Sequence, residues 1–296
     1  MSREWPAIRA KTKHAICAAA VALLWIFPAG LAAQERPKRI VSINACTDQL
    51  VYALADREQS AALTNYAANA EFSLHAGEIA RSGLNLIDGA AEEVLKLEPD
   101  LVLAGQFTRT ATRQRLAAFG LRLETFAPAE SIAEAKAQIR KAAGLLGHPD
   151  RGEMLIAEID GSLDQARGAI HRRGLRLLQL RRKAYISGSG TLFDDVLGQL
   201  GLINAGRDAG LKGTRQSSLE AVLKLRPDAL VMFDSYEQPT DQGSAMLFHP
   251  AVEALYPPAK RLVIPGNQIV CGGPSLPLLL RSIAAEIARL GGTAAR

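Results

Sequence analysis

The sequence predicts an α/β chain of two doubly wound lobes with central, mostly parallel sheets, joined by one long rigid α-helix. Three observations predict it. First, AEEVLKLEPDLVLAG at 91–105 returns as LEAVLKLRPDALVMF at 219–233, with Glu92 and Glu220 at matching stations 128 residues apart. Second, short helical and strand-like apolar segments alternate around both copies, the pattern of a parallel sheet covered by helices on both faces. Third, Asp150 to about His171 reads as one helix between the copies, roughly 30 Å long, which is enough to bridge two lobes. The predicted boundaries are a signal peptide at 1–33, an N-terminal lobe at 34–148, an interdomain helix at 149–173 and a C-terminal lobe at 174–296.

Residues 1–33 come first. Arg3, Arg9, Lys11 and Lys13 precede an apolar run from Ala15 to Phe27, and small residues close the segment at Ala32-Ala33. That is the pattern of a cleaved secretory signal, and the run is short of the roughly 20 residues a membrane-spanning helix needs. Its removal takes away four basic and one acidic residue, so the remainder carries 31 basic and 29 acidic residues, a net charge of +2. No basic stripe interleaved with aromatics remains, which argues against nucleic-acid binding. Both tryptophans, Trp5 and Trp25, leave with the segment.

Ile40-Val41-Ser42-Ile43 is a β-branched run of strand type. A helix carrying Leu50, Val51 and Leu54 follows, with Thr47 or Asp48 suited to its N-cap. Ala61 to Thr64 is a second strand, and Asn65 to Asn85 has no sustained period. In the repeated phrase, Val94, Leu95 and Leu97 give a short helix one apolar side, Pro99 stops it, and Leu101-Val102-Leu103 is a buried strand. Thr112 to Phe119 is helical and Leu121 to Phe126 is a strand. After the helix Ser131 to Leu146, Asp150 with Glu153 makes a capping pair for the long helix. Past the basic patch Arg181-Arg182-Lys183, Ala184-Tyr185-Ile186 restarts the alternation. A helix from Asp194, the second phrase, a long loop from Asp234 to His249, a helix near Ala251 to Tyr256, a strand at Arg261 to Ile264 and a last helix from Ser275 to Leu290 complete it.

Chance similarity of a generic α/β unit is one reading of the repeat. Each glutamate also stands in a first helical turn, where a carboxylate is favoured by the helix dipole, by about 0.3 to 1 kcal/mol. Capping alone does not account for an acid at the same station in both lobes. Two carboxylates on the tips of two lobes suit docking astride a twofold partner with basic pockets.

With these motifs the chain resembles the helical-backbone class of periplasmic binding proteins that serve ABC importers for cobalamin, ferric siderophores and haem. Arg39-Ile40-Val41-Ser42, both phrases, the linking helix and Gly272-Gly273-Pro274 carry the resemblance over nearly all of residues 36–290. It implies a protein without catalysis or cofactor of its own, a monomer in the periplasm. Its partners would be a small metal chelate or corrinoid and an inner-membrane ABC permease dimer, met through Glu92 and Glu220. It places the ligand cleft between the lobes, at loops on the carboxyl ends of strands. Carried over by position, the ligand-binding residues are Asn44, Cys46, Thr47, Asp48, Tyr66, Phe107, Arg109, Phe193, Arg215, Tyr236, Gly272, Gly273 and Pro274. Phe107, Phe193 and Tyr236 suit flat apolar walls; Arg109 and Arg215 suit anionic groups. Lack of tryptophan weighs against cobalamin, leaving a ferric siderophore first, with haem or cobalamin next.

Cys46 and Cys271 fall in two of these loops, one per lobe. In an exported chain such a pair forms a disulfide or stays as two buried small hydrophobes; a bridge there would staple the cleft. Two rival functions are a zinc or manganese receptor and a secreted hydrolase. The first needs about three converging ligands, for which only His75 and His249 stand in suitable loops. The second would use Ser189, whose surroundings do not match a nucleophile elbow.

Overall fold

The computed structural model describes residues 36–171, 174–233 and 242–293; the predicted signal segment and Tyr236 lie outside the described residues. The N-terminal lobe is laid down as β1 (Ile40–Ser42), α1 (Ala45–Leu54), β2 (Ser60–Thr64), α2 (Ala76–Arg81), β3 (Leu86–Ile87), α3 (Ala91–Lys96), β4 (Leu101–Gly105), α4 (Thr110–Ala118) and β5 (Leu123–Phe126). Its sheet runs in the order β3-β2-β1-β4-β5, with every pairing parallel. β1 and β4 are buried along their whole length, as strands covered on both faces must be.

Two helices lead out of this lobe. α5 (Ile132–Leu146) is capped by the Ser131 hydroxyl, which accepts from Glu134 N at 3.1 Å. α6 (Pro149–Ala169) runs for 21 residues without a break. The expected Asp150–Glu153 cap is not its start: His148 is the N-cap, Pro149 occupies the first turn where its missing N–H costs nothing, and Glu153 pairs with Arg140 at 2.7 Å. The α5–α6 crossing is close, since a Cβ on Gly152 would stand 2.6 Å from the Ala143 methyl.

The C-terminal lobe comprises β6 (Arg176–Gln179), β7 (Tyr185–Ser187), α7 (Leu192–Gln199), β8 (Ile203–Asn204), α8 (Ala205–Asp208), β9 (Thr214–Gln216), α9 (Leu219–Lys224), β10 (Ala229–Met232), α10 (Gln242–Ala245), α11 (Pro250–Leu255), β11 (Arg261–Val263) and α12 (Leu276–Thr293). Its parallel sheet runs β11-β10-β6-β8. The segment Ala184-Tyr185-Ile186 does not enter that sheet. It forms β7, which pairs antiparallel with β9 in a two-stranded ribbon, and the sheet strand is the preceding Arg176–Gln179, where the basic flanks mask a short apolar core. Asn65–Asn85 is also more ordered than its lack of period suggests, because its 3-10 turn at Asn65–Ala68 and α2 are too short to show one.

The lobes share a core. Ile40 and Leu101 of the first sheet, Leu177 of the second, Ile139 of α5, Ile159 of α6, and Leu280 and Ile283 of α12 belong to one buried cluster. Each such side chain contributes about 1.5–3 kcal/mol on burial, so α6 and α12 form a packed spine behind both sheets. Separate clusters fill the outer faces, around Val41, Val94 and Leu116 in one lobe and around Leu178, Val222 and Leu230 in the other.

Candidate functional site

At the carboxyl ends of β1 and β4 the chain turns sharply to start α1. Asn44, not Thr47 or Asp48, caps that helix: its side chain accepts from Cys46 N at 3.0 Å. Gly105 gives it room, since a Cβ there would approach the Asn44 amide nitrogen to 2.4 Å. Thr47 is held by the Ser42 hydroxyl at 2.7 Å and donates to Asn44 O at 3.0 Å. The predicted cap, Asp48, points inward instead. It accepts from Thr64 N at 3.1 Å and from the Thr64 hydroxyl, and burial pushes its carboxyl up to about 7 against the lowering effect of those hydrogen bonds.

Of the cavities that open where the lobes meet, two are lined by the predicted cleft loops. The first, about 330 Å³, takes its walls from Asn44, Thr47 and Leu50 of the α1 region, Phe107 beyond β4, Phe126 at the end of β5, Leu192 of α7 and the Ile269–Gly273 loop; among the described residues no charged side chain lines it. The second, about 470 Å³, holds Glu71, Phe72, Arg181, Arg182, Ser187, Thr214 and Phe233. Leu192, Ile269 and Val270 line both, so they form the ridge between them. Phe107 is 79 % exposed, an aromatic side chain standing free at the mouth of an apolar cavity.

Cys46 and Cys271 form a disulfide with Cα atoms 5.2 Å apart, across 225 residues of sequence. Both line the first cavity, so the bridge crosses between the lobes inside the cleft. Two hydrogen bonds clasp the lobes on either side: Ile132 N donates to Asp195 Oδ2 at 2.8 Å, and Asn267 Nδ2 donates to Ala70 O at 2.9 Å.

The positions carried over by resemblance separate into groups. Asn44, Cys46, Thr47, Phe107, Gly272 and Gly273 line the first cavity, and Phe193 lines the second, largely buried and packed edge-on against Phe233 at 5.9 Å. Tyr66 stacks edge-on against Phe72 at 5.0 Å and so reaches the second cavity only through it. Asp48, Arg109, Arg215 and Pro274 line neither. Asp48 is sealed beneath α1; Arg109 is exposed at the start of α4; Arg215 lies on the ribbon with its Nε donating to Lys212 O at 2.9 Å. Residues the sequence did not single out are Leu50, Phe126, Gln138, Ile269 and Val270. Ile269 and Val270 adjoin Cys271, and Phe126 ends a strand, so position alone would have found them. Gln138 on α5 gave no signal.

Glu92 and Glu220 are both exposed. Glu92 meets Arg115 at 2.7 Å and Glu220 meets Lys224 at 2.8 Å. Each stands in the first turn of a six-residue helix that leads into an inner strand of its lobe's parallel sheet, β4 after α3 and β10 after α9.

The histidines a metal site would need are engaged locally. His75 meets Glu78 at 3.3 Å, His249 Nδ1 accepts from Ala251 N at 3.2 Å, and no three His, Cys, Asp or Glu converge among the described residues. The Ser189 hydroxyl donates to Leu211 O at 3.1 Å.

A sequence model described as periplasmic binding protein matches residues 40–249. No curated protein matches the sequence significantly. Solved structures share the fold. A possible iron-binding periplasmic solute-binding protein from Staphylococcus epidermidis aligns with TM-score 0.70 at 19 % identity, over 86 % of this chain and 99 % of its own. A periplasmic heme-binding protein from Pseudomonas aeruginosa aligns with TM-score 0.67 at 22 % identity, over 85 % and 92 %. The periplasmic vitamin B12 binding protein of Vibrio cholerae aligns with TM-score 0.64 at 16 % identity, over 85 % and 97 %.

Proposed function

Because the chain belongs to the periplasmic binding protein family, we propose that it is the solute-capturing component of an ABC importer, exported to the periplasm behind a cleaved signal at 1–33. Its cargo is a metal chelate, a ferric siderophore first and haem or cobalamin next. The observation that carries this reading is the cleft itself: two cavities at the carboxyl ends of strands, walled by both lobes. The haem reading gains from one feature of that cleft, an uncharged apolar cavity adjoining one that holds Arg181 and Arg182. Such a pair suits a chelate with an apolar face and an anionic edge.

Glu92 and Glu220 are the docking points for the two halves of a permease dimer, with one copy of this chain as the monomeric carrier. Their present partners, Arg115 and Lys224, are exposed, and exposed pairs contribute at most about 1 kcal/mol, so exchange for permease arginines costs little. The domain division at 149–173 assigns α6 the role of a stiff connector that limits closure to small lobe movements. The zinc or manganese receptor gains no converging set of ligands from the described residues, and the Ser189 hydroxyl, which a hydrolase would need, donates to Leu211 O.

Calorimetric titration with ferric siderophores, haem and cobalamin, and with free zinc and manganese ions, tests the reading. Saturable binding of a single chelate at a one-to-one ratio is the expected outcome. Binding of a bare ion with no chelate bound would replace the chelate carrier by a metal receptor.

A further inference from the structure

We propose that the Cys46–Cys271 bridge is a reducible latch on the cleft, opened by a dithiol reductant to widen the passage to the cavity. The inference deepens the reading of the cleft as the cargo site and rests on it.

The bridge crosses between the lobes on the wall of the first cavity. On the spine side, α5, α6 and α12 already hold the lobes together through one apolar cluster. The disulfide lies on the other side, with both sulfur-bearing residues on the wall of the first cavity. Beside it, the cleft side is clasped by hydrogen bonds from Ile132 to Asp195 and from Asn267 to Ala70, and by Leu50, Ala135 and Leu192, which belong to the same apolar cluster. The bridge adds a covalent tie to these contacts at the cavity wall.

The two cysteines are unequal in a way that favours exchange. Cys271 is 4 % exposed, whereas Cys46 is half-buried and lies in the first turn of the ten-residue α1, next to the Asn44 cap. A thiolate in the first turn of a helix is stabilised by the dipole, which makes Cys46 a good leaving group for the second, releasing step. The exchange proceeds in two steps. A reductant thiolate attacks the more exposed Cys46 Sγ, the Cys46–Cys271 bond breaks, and Cys271 leaves with the electron pair and takes up a proton. The reductant's second thiolate then attacks its own sulfur in the mixed disulfide and releases Cys46 as a thiolate. The reductant ends as a disulfide and the protein as two thiols, with two electrons and two protons transferred.

Native protein treated with excess dithiothreitol, with thiols trapped by a maleimide of high mass, tests whether the bridge is reached. Hydrogen exchange read before and after reduction then tests what it holds. The latch predicts reduction without denaturant, and exchange about tenfold faster at Gln106–Thr108 and Cys271–Ser275, with peripheral α4 unchanged. The Cys46→Ser/Cys271→Ser variant should match the reduced protein; where it fails to fold, the reduced native protein supplies the comparison. A bridge that reduces only after unfolding overturns the proposal, as does reduction that leaves these segments unchanged or accelerates α4 equally. Cargo titration of the oxidised protein is read separately, so loss of the latch and loss of the cargo site are distinguishable.

Discussion

The two lobes repeat one construction and differ in how they compensate its charges. In each, a central strand is clasped to the turn that precedes its neighbour. Arg39, just before β1, donates to Leu97 O and Glu98 O, while Asp100 accepts from Lys38 N and Arg39 N. Arg176, opening β6, donates to Leu225 O and Arg226 O, while Asp228 accepts from Arg176 N. Glu98 and Arg226, each before a proline, take left-handed backbone at φ 44° and 45°, which presents those carbonyls to the arginine. The L-x-P-D of the repeated phrase is therefore a structural fastening, and only the exposed glutamates are free for another task.

A second shared device shows the difference. Asp48 of α1 reaches Thr64 at the end of β2; Asp194 of α7 accepts from Asn204 Nδ2 at 3.2 Å, at the end of β8. Asp194 also has Arg207 at 3.6 Å, whereas the groups hydrogen-bonded to Asp48 are neutral. The same buried acid is compensated by a cation in one lobe and by neutral hydroxyl and amide donors in the other.

The largest way to test that contrast is Asp48→Asn. The folded-state value of about 7 lies above the unfolded value near 3.8, so the native state favours the protonated form. The burial penalty is thus absent at low pH and grows as pH rises from about 4 through 7. The variant should be more stable than the parent above pH 7, by on the order of 3 kcal/mol, and the gap should close toward pH 4. Chemical denaturation at several pH values measures it, and a pH-independent gap would mean Asp48 is ionised throughout.

A smaller effect sharpens the likeness. Asp100→Ala and Asp228→Ala each remove a carboxylate from backbone N–H groups and should cost about 1–2 kcal/mol apiece. Equal losses would show that the fastening does the same work in both lobes; a loss in one lobe alone would break the parallel. The smallest change, Glu98→Gly or Arg226→Gly, relieves the left-handed backbone of a side chain and should gain up to about 1 kcal/mol by thermal denaturation.

Much of this was legible in the sequence. The phrase announced its own helix, stop and strand because Pro99 and Pro227 interrupt apolar runs of the right length. Failures came where local signals competed. Asn44, Thr47 and Asp48 are all good caps, and only the burial of Asp48 against Thr64 decides among them. Arg176–Gln179 was hidden because its four residues lie between basic flanks. For the cleft, loop positions were readable from strand ends, but which loop side chains point inward depends on the lobe contacts that also bring Cys46 to Cys271.

The central claim, that the lobes present paired acids to a permease while the cleft keeps the cargo, is tested most directly by Glu92→Arg and Glu220→Arg. With uptake measured in cells and cargo affinity measured on the purified protein, the account predicts that either change abolishes uptake and leaves affinity unchanged. Loss of affinity, or undiminished uptake by the double variant, would contradict it.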